Sequence, residues 1–369
     1  MNDLDIQMQS QLKGTAFQIP KANINTMLGQ YNTRNFDQNY SISQSINPYL
    51  LKAQRGLLNA NVKNAELRKN LTKQQITSEI RQSWNAILYL EQVNRNNFQQ
   101  DSLLKIFVKA SALRFKTGET NQLEKTTAIT KEQELLQQIK QNENFIIVEK
   151  TKLKTLLNFK SDFEISPTDF VPMNFMPLMD SSMLRQNPTL QLAVQQINMA
   201  QANREVEKAQ IKPEFTGGYF IQSLTGNQEV ESKTVYYNGI PRFQGITLGV
   251  SIAIFGTKSN KAKIRASETN ILMQSKNVEL QQSQLNGAYA QEIQQLTASK
   301  SLLDYYQNSA IPNARIIAQN AAKAYFNGDI SYIEYLQGIQ TSREIQLNNL
   351  QAIYAYNQRV INLQFLLNN

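Results

Sequence analysis

The sequence AKAYFNGDISYIE at residues 322–334 is matched, 210 residues upstream, by ALRFKTGETNQLE at residues 112–124. The two stretches align without a gap and share an alanine, a glycine and a glutamate at corresponding positions. The same offset superimposes further pairs downstream, namely Ile129 on Ile339, Glu134 on Glu344, Leu153 on Leu363, Leu156 on Leu366, Leu157 on Leu367 and Asn158 on Asn368. A register kept over more than 40 residues indicates two copies of one structural plan.

Features upstream of the two stretches give the order of elements in each copy. The dipeptide Ser-Ile at 45–46 corresponds to the one at 251–252, and Pro20 corresponds to Pro213. Each copy therefore reads as strand, loop, strand, long helix, tight turn and long helix. The second copy has 13 additional residues between its strands, around 225–242, where Gly, Asn and Pro signal turns. We expect an exposed loop there.

The repeat predicts three divisions of the chain. Residues 1–165 form the first structural repeat, 166–180 an equatorial linker and 181–369 the second repeat. An amphipathic helix at about 181–211 precedes the strands of the second repeat, whereas only residues 1–13 precede those of the first. By this comparison about 20 residues of the first helix are missing, which is the pattern of a truncated or fused chain.

The strand sequence ITLGVSIAIF at 246–255 alternates large apolar residues with small or polar ones. The second strand of the first repeat alternates in the same way, although Gln44 interrupts its apolar face. This is the pattern of a transmembrane β-barrel strand between lipid and an aqueous lumen. A soluble sandwich with one buried face has the same alternation. The lipid-facing candidates are Tyr40, Ile42, Ile246, Leu248, Val250 and Ile252.

Two stretches, about 50–115 and 258–326, read as helices of roughly 65 residues, or about 95 Å at 1.5 Å per residue. Few residues can break them, since the chain has 14 Gly and 9 Pro, but Pro312 is expected to kink or interrupt the second. Apolar residues recur in them at spacings of three and four, as in coiled coils. Four strands cannot close a barrel, and such helices cannot bury their apolar stripes alone, so we expect an oligomer.

The chain contains neither Cys nor His. Because this removes thiolate and imidazole groups, we expect a protein that is not an enzyme, with no catalytic residue, no metal site and no cofactor. The net charge of +9 admits nucleic acid or an anionic membrane surface as a partner. Between 125 and 154, however, Lys alternates with Glu, Gln and Asn, which is typical of a solvated helix face. We expect no nucleic-acid partner.

At 325–336 the sequence YFNGDISYIEYL places a glycine after two aromatic residues and a glutamate six residues beyond that glycine. This motif resembles the helical tips of TolC-type outer-membrane efflux proteins. The two-copy plan extends the resemblance to that family over essentially the whole chain. The strand ending SIAIF, before a helix with Ala262 and Ala266, and the Pro312-x-Ala314 break are also similar to that family. The tip and gate candidates are Phe115, Gly118, Glu124, Tyr325, Gly328, Asp329 and Glu334.

The resemblance implies a mainly helical fold with membrane β-structure. Three protomers would form a periplasmic coiled-coil tunnel of long antiparallel helices, with four strands each in a 12-stranded barrel in the lipid of a Gram-negative outer membrane. It implies a passive exit duct that opens when a periplasmic adaptor and an inner-membrane pump dock. A pump of the RND class is favoured, and the Asn- and Gln-rich composition suggests its heavy-metal group. The alternative is a soluble coiled-coil scaffold without channel activity.

The resemblance places Glu124 and Glu334 where family members carry acidic residues that narrow the tunnel. Threefold symmetry would turn each glutamate into a ring that attracts cations. The other interpretation is a carboxylate that stabilises the positive end of a helix dipole. Gly118 and Gly328 are expected to end helices in the left-handed conformation, and Tyr325 to pack near the gate.

Overall fold

The computed structural model describes residues 1–30, 34–161, 163, 169–175, 181–254 and 257–368. Residues 166–168 and 176–180 of the predicted linker, and Phe255 of the predicted strand, lie outside the described residues. The helices are α1 (Asn2–Leu12), α2 (Pro48–Lys116), α3 (Gln122–Leu157), α4 (Pro188–Gln210), α5 (Thr257–Tyr305), α6 (Ile311–Asn327) and α7 (Tyr332–Leu367). The strands are β1 (Asn23–Gly29), β2 (Asp37–Ile46), β3 (Glu214–Gln222), β4 (Thr225–Val230), β5 (Lys233–Asn238) and β6 (Phe243–Ser251).

The chain forms two units, and each unit takes residues from both sequence repeats. The first unit, Met1–Asn70 with Pro188–Gln282, contains all six described strands. The second unit, Leu71–Asn187 with Ser283–Asn369, is helical. The predicted fold class, mainly helical with four paired strands, is confirmed. Within the described ranges, no helix is both long and apolar enough to cross a bilayer.

A four-stranded antiparallel sheet in the order β1-β2-β3-β6 organises the first unit. The pair β1–β2 belongs to the first repeat and the pair β3–β6 to the second. The two pairs are joined by the ladder between β2 and β3, which ends where Ile46 faces Phe215. Asn23 at the start of β1 pairs near the end of β2, and Glu214 at the start of β3 pairs with Ser251 at the end of β6. All four connections to helical segments therefore lie at one end of this sheet.

The residues expected to form an exposed loop instead contain the β4–β5 hairpin, a second small antiparallel sheet. The prediction was wrong because its turn carries no glycine or asparagine. Glu231 and Ser232 connect the strands with φ of 50° and 62°, the conformation of a tight type I′ turn. Such a turn normally selects Asn-Gly, so the sequence gives little local signal for it.

The base of the hairpin is fastened to the connection between β1 and β2. The N–H of Thr225 donates to the carboxylate of Asp37, which is fully buried, at 3.0 Å. The Thr225 hydroxyl donates to the carbonyl of Phe36 at 3.0 Å, and the Asn35 side chain donates to the Thr225 carbonyl at 3.1 Å. Each of these three bonds joins one backbone group to one side chain, and together they fix the base of the hairpin.

Two clusters of buried apolar side chains hold the helical unit together. One includes Val360 and Leu363 of α7, which are fully buried, with Val93 of α2. The other includes Leu135 of α3 and Leu336 of α7. Since each cluster combines helices of both repeats, the two copies share their cores in this unit.

The predicted interruption near Pro312 is confirmed. A π-helical turn, Tyr306–Ala310, separates α5 from α6 immediately before Pro312. Proline has no N–H to donate and its ring crowds the preceding turn, so a wider turn accommodates it. The corresponding helix of the first repeat, α2, has its proline at the first position and continues for 69 residues.

The turns between α2 and α3 and between α6 and α7 have the same geometry. Gly118 and Gly328 have φ of 78° and 83°, in the left-handed region expected for them. Each glycine N–H donates three residues back, and the next N–H donates five residues back, which defines a Schellman motif. The helices that follow are both 36 residues long, and each ends at a left-handed asparagine. Residues 210 positions apart thus have the same backbone geometry in the two copies.

Alanine substitutions at two glycines are expected to have opposite effects on stability. Gly328→Ala places a Cβ on a left-handed residue and is expected to cost about 1–2 kcal/mol. Gly287→Ala lies inside α5, where a Cβ meets no atom within 4 Å, and is expected to stabilise by about 0.5–1 kcal/mol. Denaturant unfolding of both variants, followed by circular dichroism, checks this. The same sign at both positions would contradict the assigned backbone conformations.

Candidate functional site

One face of the four-stranded sheet is apolar across all four strands. Directly paired residues share a face, and the register aligns Ile42 with Ile24 and Tyr219, and Tyr219 with Ile246. The apolar members of this face are Ile24, Leu28, Tyr40, Ile42, Ile46, Phe215, Tyr219, Ile221, Ile246, Leu248 and Val250. Leu248 is 86% exposed and Ile246 is 77% exposed. An exposed apolar surface of this extent marks contact with lipid or another protein.

The structure places five of the six strand candidates on this apolar face. The sixth, Ile252, lies one residue beyond the end of β6 and is 60% exposed. Gln44, the predicted interruption, faces Gly217 and donates its side-chain N–H to the carbonyl of Pro20 at 2.8 Å. The polar residue therefore has a local hydrogen-bond partner next to the glycine.

The opposite face of the sheet carries mainly small and polar side chains. The hydroxyls of Ser45 and Thr216 form a cross-strand hydrogen bond of 2.7 Å. Phe220 departs from the pattern, and its ring covers Gly245, where an added Cβ would lie 2.6 Å from a ring carbon. The other polar members of this face include Asn23, Asn25, Asn39, Ser41, Ser43, Gln222, Thr247 and Ser251.

The helical unit contains a polar cluster beside the two Schellman turns. Arg114, in the last turn of α2, donates from Nη1 to Glu124 Oε1 at 3.4 Å and to the hydroxyl of Tyr325 at 3.3 Å. Its Nε lies 3.8 Å from Glu119. The Thr120 hydroxyl also donates to the Glu124 carboxylate. One guanidinium therefore joins the turns of the two repeats.

Four aromatic rings pack beneath this arginine. Phe107 lies 4.8 Å from Tyr335 and 5.5 Å from Tyr332 between ring centroids, and Tyr325 stacks on Tyr335 at 5.0 Å. The Tyr332 side chain is buried, and its hydroxyl has no hydrogen-bond partner among the described residues. Burial, with the nearby charge of Glu124 and the neighbouring tyrosines, raises the pKa of Tyr332 to about 12.

The two candidate gate glutamates occupy the same position in α3 and α7 but have different surroundings. Each lies three residues after its N-cap, Asn121 or Ser331, whose side chain accepts the glutamate N–H. Glu124 is 15% exposed and held by Arg114, whereas Glu334 is exposed. Hydrogen bonds from the backbone and hydroxyl of Ser331 hold the pKa of Glu334 below its ordinary value.

The remaining tip candidates lie at the turns themselves. The Phe115 ring lies under the ammonium of Lys125, at 5.0 Å from its centroid. The Asp329 N–H closes the second Schellman turn by donating to the carbonyl of Ala324. Tyr325 belongs to the aromatic cluster, and the structure thereby brings Tyr325 and Glu124 together through Arg114.

Sequence reasoning missed Arg114, Phe107, Tyr332 and Tyr335. The internal repeat gives no signal for them, because the offset of 210 residues pairs them with the unlike residues Ala324, Ile317, Gln122 and Lys125, and most other aligned positions differ as well. Within the described ranges, no group of three or more acidic side chains is placed to hold a metal ion.

Residues 181–369 match the family model described as outer membrane efflux protein. That match covers just over half of the chain. The chain belongs to the outer membrane efflux protein family. The family resemblance seen in the sequence is thereby confirmed.

Solved structures of this family share the fold at low sequence identity. The outer-membrane channel OprN has a TM-score of 0.80 at 14% identity, over 99% of this chain and 85% of OprN. The CmeC outer membrane channel of Campylobacter jejuni has a TM-score of 0.76 at 12% identity, over 99% of this chain and 81% of CmeC. At these identities the likeness establishes the fold alone.

A curated relative comes from Salmonella typhimurium. It is the probable outer membrane lipoprotein SilC, which is 24% identical over 205 residues. The match covers 55% of this chain and 43% of SilC. The matched part of this efflux-family chain thus spans less than half the length of that relative.

Two tyrosine substitutions in the aromatic cluster are expected to differ in sign. Tyr332→Phe removes a buried hydroxyl without a partner and is expected to stabilise by about 1 kcal/mol, whereas Tyr325→Phe removes an acceptor of Arg114 and is expected to cost about 1 kcal/mol. The raised pKa of Tyr332 adds stability that is present below pH 10 and lost as the pH rises to about 12. Tyr332→Phe is therefore expected to reduce the loss of stability in that pH window.

Denaturant unfolding of both variants at neutral and alkaline pH measures these effects. Destabilisation by Tyr332→Phe at neutral pH would show that the hydroxyl is satisfied. An unchanged alkaline loss of stability would show that another group causes that loss.

Proposed function

We propose that this chain is the protomer of the outer-membrane exit duct of a tripartite efflux system. It acts as a passive conduit in the outer membrane of a Gram-negative bacterium. The observation that carries the proposal is the predominantly apolar, exposed face of the four-stranded sheet, backed by a face of mainly small and polar groups. That combination suits a wall between lipid and water.

Assembly as a homotrimer follows from the open edges of the sheet. Within the described residues, β1 and β6 each pair with a single neighbour, so one long edge of each strand has free backbone groups. Unpaired backbone groups in hydrocarbon cost several kcal/mol each, which favours closure into a barrel. Three copies of four strands give a closed, even-numbered barrel of 12 strands.

The partners of the duct are a periplasmic adaptor and an inner-membrane pump, with the RND class favoured. Support for them comes from family membership and from the paired helical turns. The alternative of a soluble coiled-coil scaffold leaves the apolar sheet face without a contact.

Arginine substitutions on the two faces of β6 test the conduit. Leu248→Arg places a charge in the lipid at mid-strand and is expected to cost about 2–4 kcal/mol per protomer. Thr247→Arg, the adjacent residue on the polar face, meets lumen water and is expected to be mild. Outer-membrane recovery, light scattering for the trimer and single-channel conductance in planar bilayers are the measurements. Wild-type protein that stays soluble without detergent, or equal effects of both substitutions, would overturn the proposal.

We further propose that Glu334 lines the constriction of the closed duct. Its carboxylate is exposed, whereas that of Glu124 is already paired with Arg114. Glu334→Gln keeps a residue that can complete the capping box but removes three charges from the trimer. It is expected to lower cation preference and weaken block by divalent cations, and Glu124→Gln is expected to change both less. Unaltered selectivity in Glu334→Gln would remove this residue from the constriction, while the conduit would stand.

A further inference from the structure

The net charge of the chain is concentrated at one end of the four-stranded sheet. Four segments lie where the chain passes between this end of the sheet and its helices: 13–22 before β1, 47–56 at the start of α2, 204–214 at the end of α4, and 257–266 at the start of α5. They contain eleven Lys and Arg and three Glu, a net charge of +8, against +9 for the whole chain. These four segments are named the basic collar. The rest of the chain is close to neutral.

A groove of about 530 Å³ lies in the collar between α2 and α4. Its floor consists of small residues, Ala53, Gly56, Ala202 and Ala209. Its charged and polar lining includes Lys52 and Tyr49 from α2, Lys208 from the last turn of α4, and Lys212 just beyond that helix. Three ammonium groups therefore surround a groove that small side chains leave open.

The acidic residue of the groove, Glu205, is already neutralised. It lies 2.8 Å from Arg204 and 3.5 Å from Lys208. Lys52 and Lys212 form no salt bridge with any residue that the structure describes. The groove therefore has net positive charge that the chain itself leaves unpaired.

A single side chain fixes the two walls of this groove. Asn47 donates to the carbonyls of Ala209 at 3.1 Å and Lys212 at 3.4 Å, and it accepts the N–H of Leu50 at 3.0 Å. It thus caps the start of α2 and ties it to the end of α4. The groove is formed before any ligand arrives.

The groove adjoins the apolar face of the sheet. Ile46, one residue before Asn47, pairs on that face with Phe215, three residues after Lys212. A molecule with an anionic head in the groove could lay a hydrocarbon tail along this pair. The basic groove and the apolar face are thus arranged like the charged head and the hydrocarbon tail of an amphiphile.

We propose that the groove binds the headgroup of an anionic glycerophospholipid of the inner leaflet, with its acyl chains on the apolar face of the sheet. The inference rests on the proposed function, since that function places the apolar face in the outer membrane. The lysines contact the phosphate, and Tyr49 lies at the boundary between headgroup and hydrocarbon, where tyrosine is enriched. The collar as a whole favours anionic over zwitterionic headgroups.

Lipid titration of the full chain in detergent tests this. Phosphatidylglycerol and phosphatidylcholine are titrated separately, and retained lipids are counted by native mass spectrometry. The triple variant Lys52→Gln, Lys208→Gln, Lys212→Gln is expected to bind phosphatidylglycerol at least about tenfold more weakly. The corresponding triple substitution to Arg is expected to keep the affinity. Wild-type protein is expected to prefer phosphatidylglycerol, and raised salt to reduce that preference.

The matched control removes three exposed lysines of the helical unit, Lys140→Gln, Lys152→Gln and Lys300→Gln, and is expected to bind lipid as wild type does. Four results would overturn the proposal. They are unchanged binding in the groove variant, equal loss in the control, equal affinity for phosphatidylcholine, and displacement of the lipid by lipopolysaccharide or polyglutamate.

Channel conductance distinguishes a failure of the proposed lipid site from a failure of the proposed duct. If the wild type forms channels but shows no preference for phosphatidylglycerol, the lipid site is overturned and the duct stands. If the groove retains lipid but no conductance appears in any bilayer, the duct is overturned. Circular dichroism of every variant confirms that a loss of binding is not a loss of fold.

Discussion

The backbone hydrogen bonds of the sheet set the strongest constraint on this molecule. A four-stranded antiparallel sheet leaves donors and acceptors on its two outer strands, and here one face of that sheet is apolar and exposed. In water such a surface aggregates, whereas in a bilayer the free backbone groups are too costly to leave unpaired. Closure with further copies in a bilayer meets both requirements, because the edges then pair with each other and lipid covers the apolar face. The polar reverse face of the sheet would then line the interior of the closed barrel.

Much of this architecture could be predicted from the sequence because it depends on the spacing of apolar residues and on the glycines and prolines that end or interrupt helices. The two-residue alternation fixes which face of β6 is apolar, and Pro312 fixes where one long helix is interrupted. Gly118 and Gly328 mark the turns because few residues other than glycine adopt the left-handed conformation readily. These signals are local, and each can be read without knowing what packs against it.

The features that could not be predicted depend on partners distant in sequence. In the sequence, nothing distinguishes Arg114 from the other basic residues. Its role depends on folding, which brings its Nη1 within 3.3 Å of the hydroxyl of Tyr325, 211 residues away. The β4–β5 hairpin escaped prediction because its turn uses Glu231 and Ser232 in place of glycine and asparagine. The basic collar is also invisible in sequence order, since its four segments are separated by strands or long helices and meet only when the strands pair.

The attachment of the β4–β5 hairpin at Thr225 has a consequence for how this protein can change over generations. This hairpin lies at the end of the sheet opposite the connections to the helices. Its base is held by three hydrogen bonds, which use the side chains of Asp37, Thr225 and Asn35. The exposed side chains beyond that base, such as Tyr236, are therefore free to vary without disturbing the sheet. Substitutions can therefore accumulate at the tip of the hairpin while the three anchoring residues hold its base in place.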